Sequence, residues 1–160
     1  MKEIQLTKGK VALVDDEDFE YLNQFKWQAN NSRGKFYVIR SITVSKYKQK
    51  HILIHRFIMN PDKGMVIDHL DGNPLNNQKN NLRICTHSEN MRNCKVSIKN
   101  TSGYKGVSFI KKRNAYKSAI KFNKKTIYLG CYIDPKDAAR VYNTAAIKYF
   151  GEFANLNKID

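Results

Sequence analysis

The chain has 160 residues, enough for one mid-sized domain or two small ones. Its 29 Lys and Arg against 14 Asp and Glu give a formal net charge of +15, and 41% of its residues are hydrophobic. This composition excludes wholesale disorder and predicts a polyanionic partner. No apolar run is long enough for a membrane span, the amino terminus lacks the apolar core of a signal peptide, and three cysteines without a CxxC pair argue against a disulfide framework. We therefore expect a cytoplasmic protein without a membrane partner.

The first segment ends near residue 59 and mixes strands with short helices. Residues 11–14 (VALV) predict a strand, and the acidic run after them predicts a helix opened by Asp15 or Asp16. A turn at residues 32–35 precedes a β-rich alternating run, which indicates a hairpin. Residues 51–59 (HILIHRFIM) begin as a strand, and we expect them to become helical near Ile54.

The second segment, residues 60–100, is polar and rich in asparagine. Asp71-Gly72 and Asn73-Pro74 are strong turn signals. The run SENMRN predicts a short helix opened by Ser88. A hairpin-like turn region followed by a helix is the expected outline.

The third segment begins after residues 100–103 (NTSG) and predicts a sheet followed by a helix. The alternating runs YKGVSFI, YKSAIKF and KTIYLGCY predict three antiparallel strands. Asp134 and Pro135 fit the N-cap and the first position of a helix that ends at Gly151. Alanines at helical spacing form a small face, which lets this helix pack closely on the sheet.

A one-signed stretch of charge lies mostly in this third segment. No acidic residue occurs between Glu89 and Asp134, whereas a solubilising surface normally mixes both signs. A surface that faces phosphates is the favoured interpretation, ahead of a merely solvated face or an anionic membrane surface. The basic residues of the stretch are Arg92, Lys95, Lys99, Lys105, Lys111, Lys112, Arg113, Lys117, Lys121, Lys124 and Lys125.

The residues with the clearest chemical potential lie in the second segment, around Asp68-His69. Hydrolysis of a phosphodiester needs a general base and a hard cation held by oxygen ligands. An imidazole titrates near neutral pH, so His69 suits the base, while Asp68 and Asn90 offer a carboxylate and an amide oxygen. A structural role remains the alternative for each residue taken alone.

The other histidines are less informative. His55 is interpreted as structural, and His87 as a possible contact to substrate or metal. A zinc site from Cys85, His87 and Cys94 is discounted, because the spacing fits no standard arrangement.

In order and spacing, this segment resembles the HNH (ββα-metal) nucleases of the phage and intron-encoded homing type. The runs LTKGKVALVDDEDFEYLNQFKW, LIHRFIM and VIDHLDGNPLNNQKNNLRICTHSENMRN carry the resemblance. It implies that His69 is the general base, that Asn81 holds the loop that aims it, and that Asp68 and Asn90 bind one divalent metal ion, Mg²⁺ or Mn²⁺. Arg83 and Arg92 would contact phosphates near the cut.

Residues 103–157 resemble the Apetala/ethylene-response-factor DNA-binding domain, through YKGV, YLGCY and DAARVYNTAAIKYFGEFANLN. In that family the three-stranded sheet enters the major groove and the helix supports it from behind. Tyr116 stands where the plant domains usually have Trp, and several of their base-reading arginines are replaced, so no recognition sequence is carried over. The expected DNA contacts are Lys105, Ser108, Lys111, Arg113, Lys117 and Lys121.

The sequence thus predicts an α+β protein of two domains. Residues 1–99 would form an HNH nuclease domain, a mixed αβ region with its ββα-metal core at about 60–97. Residues 100–160 would form a three-stranded antiparallel sheet packed on one α-helix. The predicted activity is metal-dependent cleavage of double-stranded DNA by a monomer or weak dimer in a bacterial or phage-infected cell. A non-catalytic DNA-binding protein and an RNA-binding protein are the alternatives.

Overall fold

A computed structural model describes residues 1–94, 96 and 100–159 of the chain. It is a mixed α/β structure that forms two compact units, residues 1–90 and residues 91–160. Lys95, Ser97, Ile98 and Lys99 lie outside the described residues. The predicted end of the nuclease core at 97 and the predicted domain boundary between 99 and 100 fall in this part of the chain. The two-domain division stays a prediction.

The first unit begins with a strand pair, a helix and a three-stranded sheet. Its elements are β1 (Lys2–Gln5), β2 (Val11–Val14), α1 (Asp16–Leu22), β3 (Gln28–Ser32), β4 (Lys35–Ser45), β5 (Lys48–Leu53) and α2 (Ile54–Met59). Strands β1 and β2 are antiparallel, and β4 lies between β3 and β5 in an antiparallel sheet. The predicted strand at 11–14, the hairpin and the change to helix at Ile54 are confirmed.

The later part of the first unit is a further hairpin, followed by a helix that continues past residue 90. Its elements are β6 (Val66–His69), β7 (Leu82–Cys85) and α3 (His87–Arg92). Strands β6 and β7 pair antiparallel, and the loop at 70–81 joins them. The core of the first unit consists of Ile4, Ala12, Val14, Leu22, Trp27, Val38 and Ile54.

The second unit contains β8 (Val107–Ile110), β9 (Ala115–Phe122), β10 (Lys125–Tyr132) and α4 (Pro135–Phe150). The strands form an antiparallel sheet with β9 in the centre. The Asp134 carboxylate caps α4 by accepting the Lys136 N–H at 2.7 Å, and Gly151 ends the helix with a positive φ of 54°. The predicted strands and helix are present here, with both ends of the helix as predicted.

The alanine face of α4 packs on one face of this sheet. Ala138 and Ala139 are fully buried beside Val107, and Tyr142 packs on Ile120. Ser118 is also fully buried, and its hydroxyl donates to the Ala138 carbonyl at 2.8 Å. The opposite face of the sheet therefore carries the odd-numbered side chains of β9.

Candidate functional site

The loop of the β6–β7 hairpin is closed by the side chain of Asn81. This amide accepts a hydrogen bond from the Asp71 N–H at 3.1 Å and donates to Asp71 Oδ1 at 3.1 Å and to the Asn76 carbonyl at 2.8 Å. Asn81 is only 8% exposed, so these bonds form away from bulk water. The loop between the strands is thereby tied to the residue that precedes β7.

Asp68 lies in β6 directly opposite Arg83 of β7. The Arg83 guanidinium donates to Asp68 Oδ2 at 2.8 Å, and both side chains are largely buried. A buried carboxylate is stable as an ion only when a cation or several donors compensate it. The structure therefore places an ion-paired carboxylate next to His69, with the Arg83 guanidinium as its partner.

His69 ends β6 and is 7% exposed. Its Nε2 lies 3.3 Å from Oδ1 of Asn77, and its ring stands at 89° to the His55 ring with centroids 5.1 Å apart. Burial lowers the pKa of His69, although the Asn77 hydrogen bond and the charges of Asp71 and Asp68 act in the opposite direction. The imidazole is therefore neutral at pH 7, the form that accepts a proton.

Strand β2 and the residue that follows it also make hydrogen bonds to the loop. The Leu13 N–H donates to the Leu75 carbonyl at 2.9 Å, and the Asn77 N–H donates to the Leu13 carbonyl at 2.8 Å. Asp15, the N-cap residue of α1, makes no side-chain cap bond; its carboxylate instead accepts from the Lys79 N–H at 2.7 Å and from Gln78 at 3.3 Å. Residues 13 and 15 thus hold residues 75–79 of the loop.

Helix α3 begins earlier than predicted. Thr86, not Ser88, opens it: the Glu89 carboxylate accepts from the Thr86 N–H at 2.8 Å, and the Glu89 N–H donates to the Thr86 hydroxyl at 3.3 Å. This reciprocal pair is a capping box, whose T-x-x-E signal is visible in the sequence. Asn90 follows in the first turn and is half-buried.

The predicted metal ligands are one carboxylate, Asp68, and one amide, Asn90. Among residues 1–94, 96 and 100–159, no group of three or more His, Cys, Asp or Glu side chains is arranged to hold a metal ion. The sparse predicted set differs from such a cluster because it relies on an amide and leaves most positions to water and phosphate. Hard oxygen donors are the ligand type that Mg²⁺ and Mn²⁺ prefer, and metal binding by Asp68 and Asn90 stays a prediction.

Five of the expected DNA contacts lie on two strands of the second unit or in the turn between them. Ser108 pairs with Lys117 across β8 and β9, and Lys117 and Lys121 project from the face of the sheet opposite α4. Lys111 and Arg113 are exposed in the turn that joins the two strands. These five form the basic sheet face, defined as Ser108, Lys111, Arg113, Lys117 and Lys121.

Lys105 and Arg92 are engaged within the second unit. The Lys105 ammonium donates to the carbonyls of Arg92 and Cys94, and burial lowers its pKa. The Arg92 guanidinium lies over the rings of Phe150 and Phe122, at 4.9 and 5.5 Å from their centroids. DNA contact by either residue stays a prediction.

Two features were not identified from the sequence. Asn77 is fully buried against His69, but one asparagine in an asparagine-rich loop carries no distinguishing signal. The β4–β5 hairpin presents exposed Lys46, Lys48 and Lys50 around Tyr47, which is 90% exposed. The absence of acidic residues between Glu20 and Asp62 was a signal that could have revealed this basic hairpin.

Comparisons with known proteins identify relatives of this chain by sequence. A family model described as HNH endonuclease matches residues 48–92. An uncharacterized HNH endonuclease of Acanthamoeba polyphaga mimivirus is 32% identical over 159 residues, which cover 96% of this chain and 78% of that protein. Protein 3.8 of Escherichia phage T7 is 41% identical over 76 residues, covering 47% of this chain and 63% of the phage protein.

A third relative comes from the SPbeta prophage of Bacillus subtilis strain 168, and its name makes it a candidate HNH homing endonuclease. It is 41% identical over 59 residues, which cover 34% of each chain. No helix among the described residues has the length and apolar character needed to cross a membrane.

Proposed function

The chain belongs to the HNH endonuclease family and is therefore a nuclease, and from that premise we propose that it hydrolyses a phosphodiester bond in double-stranded DNA with His69 as the general base. The observation that carries this proposal is the buried Asp68-His69 pair at the end of β6. A neutral imidazole stands there beside a carboxylate that pairs with the Arg83 guanidinium. Neither feature alone would serve hydrolysis, but together they supply a base and a cation site at adjacent positions.

HNH nucleases generally use a divalent metal ion. In this chain Asp68 and Asn90 would hold it through a carboxylate and an amide oxygen. When bound, the ion neutralises the negative charge that develops on the phosphate during displacement. Arg83, which pairs with Asp68, keeps that carboxylate in position before the ion and the substrate arrive.

His69 performs the proton transfer in this mechanism. The imidazole accepts a proton from water as the water oxygen bonds to phosphorus. The bond from phosphorus to the 3′ oxygen breaks, and the departing 3′ oxygen takes a proton from solvent to become a hydroxyl. A lowered pKa keeps the ring ready to accept that proton at neutral pH. The Asn81 bonds to Asp71 and Asn76 support the loop that follows His69, so Asn81 acts by positioning.

The second unit delivers the nuclease to duplex DNA through the basic sheet face, as its resemblance to the Apetala/ethylene-response-factor domain implies. Lys117 and Lys121 project from the same face of β9, with Ser108 beside them. An antiparallel sheet of this width fits the major groove of B-form DNA, whereas the deep and narrow major groove of RNA excludes it. The basic β4–β5 hairpin supplies further phosphate contacts.

Relaxation of supercoiled plasmid with Mg²⁺ or Mn²⁺ tests the proposal. One active site cuts one strand per visit, so we expect wild-type protein to produce open circles, and His69→Ala or EDTA to abolish them. Asn80→Ala is the matched control, because Asn80 is exposed in the same loop. Cleavage that survives His69→Ala would refute the mechanism, and binding without cleavage in wild type would favour a DNA-binding role alone.

A further inference from the structure

We propose that Asn77 is a positioning residue that fixes the orientation and the tautomer of His69, so that Nδ1 is the nitrogen that accepts the proton from water. This inference rests on the proposed role of His69 as the base. It starts from the 3.3 Å contact between His69 Nε2 and Asn77 Oδ1. An amide oxygen only accepts hydrogen bonds, so the proton of the neutral ring lies on Nε2.

The Asn77 amide has one orientation available. Its Nδ2 donates to the carbonyls of Pro74 and Leu75, at 3.3 and 3.1 Å, and its side chain is fully buried. A flipped amide would set its oxygen against these two carbonyls, so that three acceptors would meet with no donor between them. The cost of such unsatisfied buried groups keeps Oδ1 directed at His69.

The backbone of Asn77 is held as firmly as its side chain. Its N–H donates to the Leu13 carbonyl at 2.8 Å, which links the loop to β2. The oxygen that faces His69 is therefore fixed by three hydrogen bonds from one residue, two from the side chain and one from the backbone. A preorganised partner of this kind aligns a base without moving during the reaction.

His55 restrains the same ring from another side. The two imidazoles stand perpendicular with their centroids 5.1 Å apart, and His55 is 6% exposed. Among the residues that the structure describes, His55 Nδ1 has no hydrogen-bond partner. Burial lowers the pKa of His55 to about 3, so it adds no positive charge beside His69. The base thus has a fixed amide at Nε2 and a neutral ring in perpendicular contact with it.

The test compares the ring nitrogens of metal-free wild type with those of Asn77→Leu and Asn77→Asp. Nitrogen-15 spectra of the histidine rings at about pH 8, with His69→Ala to assign the His69 signals, report which nitrogen is protonated. We expect wild-type His69 to carry its proton on Nε2 alone. Asn77→Leu, which keeps the volume but removes the acceptor, should show a mixture of tautomers, and its nicking rate should fall roughly 10- to 100-fold.

Asn77→Asp keeps an acceptor for Nε2 but loses the two bonds to the loop carbonyls. We expect it to keep the Nε2–H signature and to nick faster than Asn77→Leu, which a purely structural role would not produce. Asn80→Leu, the same change at an exposed site in this loop, should match wild type in both measurements. A wild-type ring protonated on Nδ1, or an Asn77→Leu protein with unchanged spectrum and rate, would overturn the proposal.

The two proposals fail in different ways. If His69→Ala still nicks DNA, the proposed base is wrong whatever the spectra show. If His69→Ala is inactive but Asn77→Leu behaves as wild type, only the positioning role is wrong. If Asn77→Leu does not fold, the wild-type tautomer of His69 and the Asn77→Asp variant still test the positioning role of Asn77.

Discussion

Arg83 illustrates how one side chain can suit two roles that differ in their energetic consequences. The sequence analysis predicts that Arg83 contacts a phosphate, whereas in the structure its guanidinium forms an ion pair with the buried Asp68 carboxylate. Removing a cation from such a pair leaves a buried charge uncompensated. Arg83 therefore bears on the stability of the first unit before any DNA is present.

We expect Arg83→Met to lower the free energy of unfolding by about 3 kcal/mol without DNA. Lys121→Met, which removes an exposed cation expected to contact DNA, should change it by less than about 0.5 kcal/mol. Urea unfolding followed by the fluorescence of Trp27, the single tryptophan and a core residue of the first unit, measures both. Equal stability of wild type and Arg83→Met would show that the ion pair contributes nothing net.

His55 makes stability depend on pH. Burial, with the charges of His69 and Arg56, lowers its pKa from 6.5 to about 3. Between these values the unfolded chain binds more protons at this position than the folded chain. The contribution is therefore fully present above about pH 6.5 and is lost as the pH falls toward 3.

We expect His55→Phe, which keeps an uncharged ring, to flatten the fall in unfolding free energy between about pH 6.5 and pH 4, by up to about 1.4 kcal/mol per pH unit. His51→Phe is the control, because His51 is exposed and should leave the slope unchanged. Urea titrations at several pH values give the slopes. Parallel curves for wild type and His55→Phe would contradict the buried, neutral state of His55.

At the scale of elements, the structure explains why the YKGV run has a glycine at position 106, directly before β8. Its φ is +75°, and a Cβ there would lie 2.0 Å from Cδ2 of Tyr142 and 2.9 Å from the Ala119 carbonyl oxygen. The Gly106 carbonyl in turn accepts the Ala119 N–H at 2.9 Å. Glycine is required both by the backbone conformation and by the close approach of α4.

Gly106→Ala should therefore destabilise the second unit by at least about 2 kcal/mol more than Gly103→Ala. Gly103 also has a positive φ, of +77°, but no atom of the described residues lies within 4 Å of the position that a Cβ would take there, so its variant measures backbone strain. Hydrogen exchange of the Ala119 amide reports the difference. Similar exchange in both variants would show that Tyr142 yields without cost.

Local patterns predicted the elements well because each rests on neighbours in sequence. The three alternating strands and the Asp134-Pro135 start of α4 needed no distant contact. The functions of Asp15 and Asn77 could not be predicted in this way. The pattern predicts Asp15 as a helix cap, but its carboxylate binds Lys79 and Gln78, and Asn77 becomes distinctive only when the fold buries it against His69.

At the scale of the whole molecule, charge is the property that both units share. Two stretches lack acidic residues, between Glu20 and Asp62 and between Glu89 and Asp134. The first includes the β4–β5 hairpin, and the second includes the basic sheet face. Binding through such surfaces releases counterions from DNA, so affinity should fall steeply with salt.

We expect the double variant Lys117→Ala/Lys121→Ala to reduce the slope of log affinity against log salt by about 1.8, because each phosphate contact contributes about 0.9. Lys148→Ala on the exposed side of α4 is the control and should leave the slope unchanged. Fluorescence anisotropy with labelled duplex DNA at several salt concentrations provides both slopes. An equal reduction in the control would mean that binding does not depend on the basic sheet face.

The bonds from Leu13 and Asp15 to the loop at 75–79 also bear on how this nuclease can be divided. The segment that matches the family model, residues 48–92, contains the loop but not the strand that anchors it. Transplanting that segment into another scaffold would carry His69 and Asn77 without their anchor. The smallest portable nuclease in this chain therefore starts upstream of residue 13, and grafts that omit β2 would inherit the motif without its rigidity.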